Sequence, residues 1–266
     1  MIKLKYNPIQ LTAIFLAIYS LCAIFTSTFQ VMALVHFGII AGSVAIFTLI
    51  FRNISKNKKI LDNTIISALI LFLVWHPFNS ILTVFAVALI MVSKYFLEYK
   101  NTSVVNPVAG SLLIVSLLNQ FTNISPNNFV SWWGTSFIEP LSLILMAIWL
   151  LTTFRKWNRY WVTLTFLAIH LIITIIKGQI LQFPGLTFGV FSQATIYFMA
   201  AIMLIDPKSS PALKKTQIIY GIIAAITYNI LLFTQIADAE LWAIIIANLY
   251  NFSLKFAGVK STVIKT

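Results

Sequence analysis

Asp206 closes an apolar run, Ile196 to Ile205, and Pro207 follows it. The chain has only six carboxylates, so one set against a hydrophobic segment carries information. A carboxylate there either caps a neighbouring helix start among headgroups beside Lys208, Lys214 and Lys215, or anchors a ligand or ion near a broken helix. A second apolar run ends in a similar phrase, Trp75-His76-Pro77-Phe78-Asn79-Ser80, against Ile205-Asp206-Pro207-Lys208-Ser209-Ser210. Asn106-Pro107 opens another run. Proline costs little in a first helical turn, so the pair either starts a helix or leaves backbone amides facing a ligand. Gly110 lies in that segment, and Asn248 falls in the last apolar run. His170 sits mid-segment and is the histidine best placed to serve as a functional polar group. Asn106, Pro107, Gly110, His170, Asp206 and Asn248 are the candidate binding residues.

Other chemistries lack their residues. His36, His76 and His170 lie in or beside separate segments, and Cys22 is alone, so neither a metal set nor a disulfide is expected. No phosphate-binding glycine loop, hydrolase triad or paired catalytic carboxylates appear.

The elements that must position these residues follow from composition. The chain is 60% hydrophobic and 9% charged, too few charges to cover a water-soluble surface. The lipid bilayer is therefore its expected solvent and first partner. The runs are continuous and do not alternate, which argues for helices over a barrel. The net charge of +12 is read as cytoplasmic loop lysine and arginine and not as a nucleic-acid surface. The basic start carries no small-residue cleavage site, so the first span is expected to be retained.

The expected fold is all-α: a single integral membrane domain of about ten spans. The segments are Gln10–Thr28, Val31–Phe51, Asn63–Trp75, Ile81–Phe96, Val104–Leu118, Phe137–Phe154, Trp161–Ile176, Leu186–Ile205, Gln217–Phe233 and Leu241–Phe256. The third and fifth are short and carry proline at one end, as partial helices would. Pro184, Gly185 and Gly189 make the entry of the eighth irregular. With the N-terminus inside, every lysine and arginine except Lys177 falls on the inner side, which supports ten spans and cytoplasmic termini in a plasma or inner membrane. Trp157, Tyr160 and Trp161 inside and Trp132 and Trp133 outside suit interfacial belts. Loop 119–136 suggests a surface-lying segment. Five spans plus five, residues 1–120 and 134–258, insert the second copy upside down, an inverted repeat whose site lies where the copies meet.

At this level the residues carry a resemblance. Lys94-Tyr95-Phe96-Leu97-Glu98-Tyr99-Lys100, then Val104-Val105-Asn106-Pro107-Val108-Ala109-Gly110, is similar to the NqrB/RnfD family. Its members are membrane components of Rnf electron-transport complexes and of the sodium-pumping NADH:quinone oxidoreductase. The segment Phe198–Ala201 running into Asp206-Pro207-Lys208-Ser209-Ser210-Pro211 resembles the family's aspartate-proline helix, with Ile205 where the family has threonine. The resemblance implies a urea-channel-like inverted repeat, a role in membrane electron transport, partner redox subunits and a flavin, FMN or riboflavin. The family's covalent flavin sits on the threonine of a serine-glycine-alanine-threonine motif upstream of that helix. Here Ser192-Gln193-Ala194-Thr195 has Gln193 for glycine and lies within the helix, which argues against covalent flavin at Thr195. The expected function is a membrane subunit of an electron-transport system holding a non-covalent redox cofactor. The alternative is a small-solute channel or permease on the same scaffold.

Overall fold

A computed structural model describes residues 7–28, 30–54, 61–75, 79–99, 102–122, 130–135, 139–152, 154–183 and 185–258. The described chain is all-α apart from one two-residue hairpin, Glu98-Tyr99 against Thr102-Ser103. Its helices are α1 (Pro8–Thr26), α2 (Gln30–Ile54), α3 (Leu61–Val74), α4 (Ser80–Phe96), α5 (Pro107–Thr122), α6 (Glu139–Thr152), α7 (Tyr160–Ile180), α8 (Gly185–Phe191), α9 (Ala194–Phe198), α10 (Lys214–Phe233) and α11 (Ala239–Phe256). Four of them, α1, α2, α7 and α10, are long and apolar enough to cross a membrane. Large side chains such as Phe25, Val31, Ile81, Phe121, Leu151 and Phe233 stand on the outer surface, where hydrocarbon and not water would accept them.

Local sequence explains the helix starts. Asn7 caps α1 in a reciprocal box with Gln10, and Pro8 occupies the first turn. Asn79 caps α4 through the amides of Ile81 and Leu82. A close helix crossing is set by Gly221 of α10, where a Cβ would lie 2.8 Å from the Val162 carbonyl of α7.

The eighth expected segment is not one helix. Leu186–Ile205 breaks after α8, restarts as α9 at Ala194, and winds through a π-helical turn, Met199–Met203. The irregular entry at Gly185 and Gly189 is the sequence mark of this break. The wide turn exposes carbonyls that neighbouring helices then serve. Thr163 Oγ1 of α7 donates to Ala200 O at 2.6 Å, and Trp149 Nε1 of α6 to Ala201 O at 3.2 Å.

The segment after α5 also departs from expectation. Residues 130–135 are not surface-lying: Val130, Trp132 and Thr135 are buried. At roughly 1.5 Å per residue α3 spans only about 21 Å, short of the ~30 Å hydrocarbon core. Its last carbonyls need donors, and this segment brings them. Trp132 N donates to Val74 O at 3.0 Å, Gly134 N to Leu73 O at 2.9 Å, and Trp133 Nε1 to Phe72 O at 2.8 Å. Tyr19 of α1 and Thr195 of α9 close the arrangement, through Thr135 O at 2.7 Å and Thr135 Oγ1 at 2.9 Å. Trp132 is therefore a core residue and not a belt residue, because the helix end that it serves is itself buried. His76 lies outside the described residues.

Candidate functional site

The Asp206-Pro207 turn beyond the π turn faces a cavity of about 80 Å³. The turn is self-organised. Asp206 accepts from the Lys208 amide at 3.2 Å and the Ser209 hydroxyl at 3.0 Å, while its carbonyl takes the Ser210 amide at 2.8 Å. Arg159, just before α7, donates to Pro211 O at 2.7 Å, and Asn251 of α11 donates to Ser209 O at 2.7 Å. Burial lowers the Arg159 pKa, and Asp206 acts against that shift. Asp206 thus caps its own turn, not a neighbouring helix.

Opposite the turn stands the start of α5. Asn106 is almost fully buried. Its side-chain oxygen accepts from the amides of Val108 and Ala109 at 3.0 and 3.2 Å. Its Nδ2 donates to Met203 O in the π turn at 3.1 Å, and its own amide donates to Asn248 Oδ1 at 2.5 Å. Asn248 in turn donates to the Tyr220 hydroxyl at 2.5 Å. The first-turn amides of α5 are therefore occupied and do not face a ligand. Of the two readings of Asn106-Pro107, helix initiation is the one that the geometry supports.

The cavity wall is mixed. Ile66, Ile70, Val108, Ile202 and Ile205 supply apolar surface, and the indoles of Trp149 and Trp157 add two aromatic faces. Polar groups come from Thr12, Ser67, Lys94, Ser103, Asp206 and Lys208. Lys94 lies in the last turn of α4 and is buried. The short hairpin then carries Glu98 to the Lys208 ammonium, 2.5 Å away, and places Ser103 in the wall.

No protein-family model matches this chain, and no curated protein matches it.

Three of the six candidate residues, Asn106, Pro107 and Asp206, line this one cavity. Asn248 stands behind them and fixes Asn106. Gly110 lies one turn further along α5, where a Cβ would press on Val105 Cγ2 at 3.1 Å; its smallness serves packing. His170 is elsewhere. Its ring packs among Phe166, Phe191 and Tyr228, and Nδ1 meets Asn229 Oδ1 at 3.1 Å. A polar residue in mid-helix thus serves an α7–α10 contact. Sequence reasoning did not place Lys94, Ser103, Arg159 or Trp149 at the site, and read Trp157 as a belt residue. Lys94 carried a signal, as a lysine still inside an apolar helix, but counting it among loop cations hid it. Among the described residues no cluster of histidine, cysteine and carboxylate groups has metal-binding geometry.

Proposed function

We propose that this chain is a membrane-embedded component of a redox-linked transport system, resembling the NqrB/RnfD family, with the Asp206 cavity as its working site. One observation carries the reading. The two stretches on which the resemblance rests, Asn106-Pro107 and Asp206-Pro207, come from different halves of the chain and meet around a single cavity. Convergence of two half-helix ends at a polar cavity is the arrangement expected of an inverted-repeat transporter. In the ten-span reading this cavity opens toward the cytoplasm, with both termini on that side, and the segment 130–135 faces outward.

A flavin does not fit the cavity. Sites for drug-sized ligands run to roughly 300–1,000 Å³, against about 80 Å³ here. The space suits a transported ion or solute of a few heavy atoms. A non-covalent FMN or riboflavin in this system would sit at a surface shared with a redox partner. The same size favours the second reading, a small-solute permease that works without redox partners.

The protein purified from its own membranes with an affinity tag decides between them. Flavin absorbance in the visible spectrum, together with co-purifying redox proteins, is expected. A colourless, partner-free protein that conducts small solutes in liposomes would replace the first reading by the second. External labelling of a tag at either terminus would overturn the ten-span orientation.

A further inference from the structure

The charges around Asp206 do not balance. Lys94, Arg159 and Lys255 all interact electrostatically with its carboxylate, and Lys208 follows it in the same turn. Among the described side chains, Asp206 and Glu98 are the carboxylates that stand against these four basic groups. Glu98 is committed to Lys208. Both Asp206 oxygens already accept bonds from the turn. The described side chains therefore leave basic groups in excess at the edge of a cavity whose polar groups stand beside isoleucine and indole side chains. Such a wall excludes water and strengthens the field of the ammonium groups.

A second observation points the same way. Ser103 is 3% exposed, lines the cavity, and its hydroxyl has no hydrogen-bond partner among the described residues. A buried hydroxyl without a partner is costly, so its presence beside a cationic wall implies a bond that something else completes. The volume admits only a few atoms.

We propose that the cavity binds a small inorganic or one-carbon anion, accepting from the Ser103 hydroxyl and drawn by Lys94. Asp206 is the resident negative charge that holds the cationic wall together when the anion is absent. An anion balances the excess, whereas a metal cation would add to it and would find Asp206 already bonded. The inference rests on the reading of the Asp206 cavity as the working site.

The test uses the full chain purified in detergent, with thermal unfolding followed against sodium nitrate, sodium formate and sodium chloride. Sodium gluconate holds ionic strength constant. Saturable stabilisation by nitrate or formate is expected, with half-saturation in the millimolar range. Loss of a charge-assisted hydrogen bond corresponds to at least about a 10-fold loss of affinity, and that is expected of Lys94→Gln. Ser103→Ala should weaken binding about 3- to 10-fold. Lys214→Gln, whose cation lies over Trp161 and outside the cavity wall, should change nothing. If Lys94→Gln fails to fold, Ser103→Ala carries the test, and unaltered affinity in that variant overturns the proposal. Absence of saturable anion stabilisation, or equal stabilisation in wild type and both variants, also overturns it. Anion binding by a protein without redox partners or flux would keep this inference and remove the transport reading. Partners or flux without anion binding would do the reverse.

Discussion

The two ends of the segment 194–206 meet opposite solutions to one problem. At its start, around Thr195 and Thr135, backbone and indole donors fill the acceptors at the end of α3, and the region is closed. At its far end, around Asp206, side chains of α4, α5 and α11 converge with Arg159 and leave a cavity. Short helices expose unsatisfied backbone in both places. Where the satisfying groups are backbone and indole, the result is a seal. Where they are charged and amide side chains, space and field remain for a ligand.

The most damaging single change should fall in the seal. A Cβ on Gly134 would lie 2.7 Å from Leu73 Cδ2 and 3.0 Å from Leu73 Cα. Gly134→Val should cost about 3 kcal/mol by overpacking, read as a lower unfolding temperature in detergent. An unchanged temperature would show the seal to be loose, and the contrast would fail.

Asn106→Ala removes two amide caps and the bond to Met203 O. A loss of about 2 kcal/mol is expected from the cap and the buried bond, measured by the same unfolding assay. Any binding in the cavity should weaken with it, while Gly134→Ser at the seal should spare binding.

His170→Phe sharpens the comparison from outside it. The ring lies among aromatic neighbours and loses one bond to Asn229. The change leaves the buried Asn229 Oδ1 without that donor, and should cost about 1–2 kcal/mol and leave cavity binding intact. Loss of binding in this variant would extend the site well beyond the cavity.

The smallest effect concerns Asp238, the residue before α11. Burial raises its pKa, opposed by bonds from Ser116 and the Val130 amide. The folded state then holds its proton more tightly than the unfolded state, whose carboxyl titrates near pH ~4. Between the two values folding takes up a proton, so stability falls as pH rises through that window and levels off above it. Asp238→Asn should flatten the decline, measured as unfolding temperature while pH is raised from about 4.

The helical class and the apolar segments were legible because lipid-facing helices write long hydrophobic runs. Asn106 and Asn248 were each legible as a polar residue set in an apolar run, and the two side chains meet in the structure. The break between α8 and α9 was visible as Pro184, Gly185 and Gly189, but the run from Ile196 to Ile205 is uniformly apolar, and nothing in it marks a π turn. The burial of residues 130–135 was hidden because the asparagine, serine and tryptophan content of loop 119–136 resembles an interfacial loop. Only the shortness of α3 indicated that something must come down to meet it. Lys94 was obscured because charge counting assigns a side to a lysine and not a depth.

The π turn at Met199–Met203 has a mechanical meaning beyond the bonds that it accepts. It holds one residue more than an α-turn, and that surplus is a dislocation in an otherwise regular winding. A dislocation glides: handing the surplus to the next position leaves the helix intact and rotates each residue that it passes by about 100°. Thr163, Trp149 and Asn106 pin it from three helices. Release of the Asn106 pin would free the segment leading into Asp206 to turn its carboxylate out of the wall without unfolding a single helix.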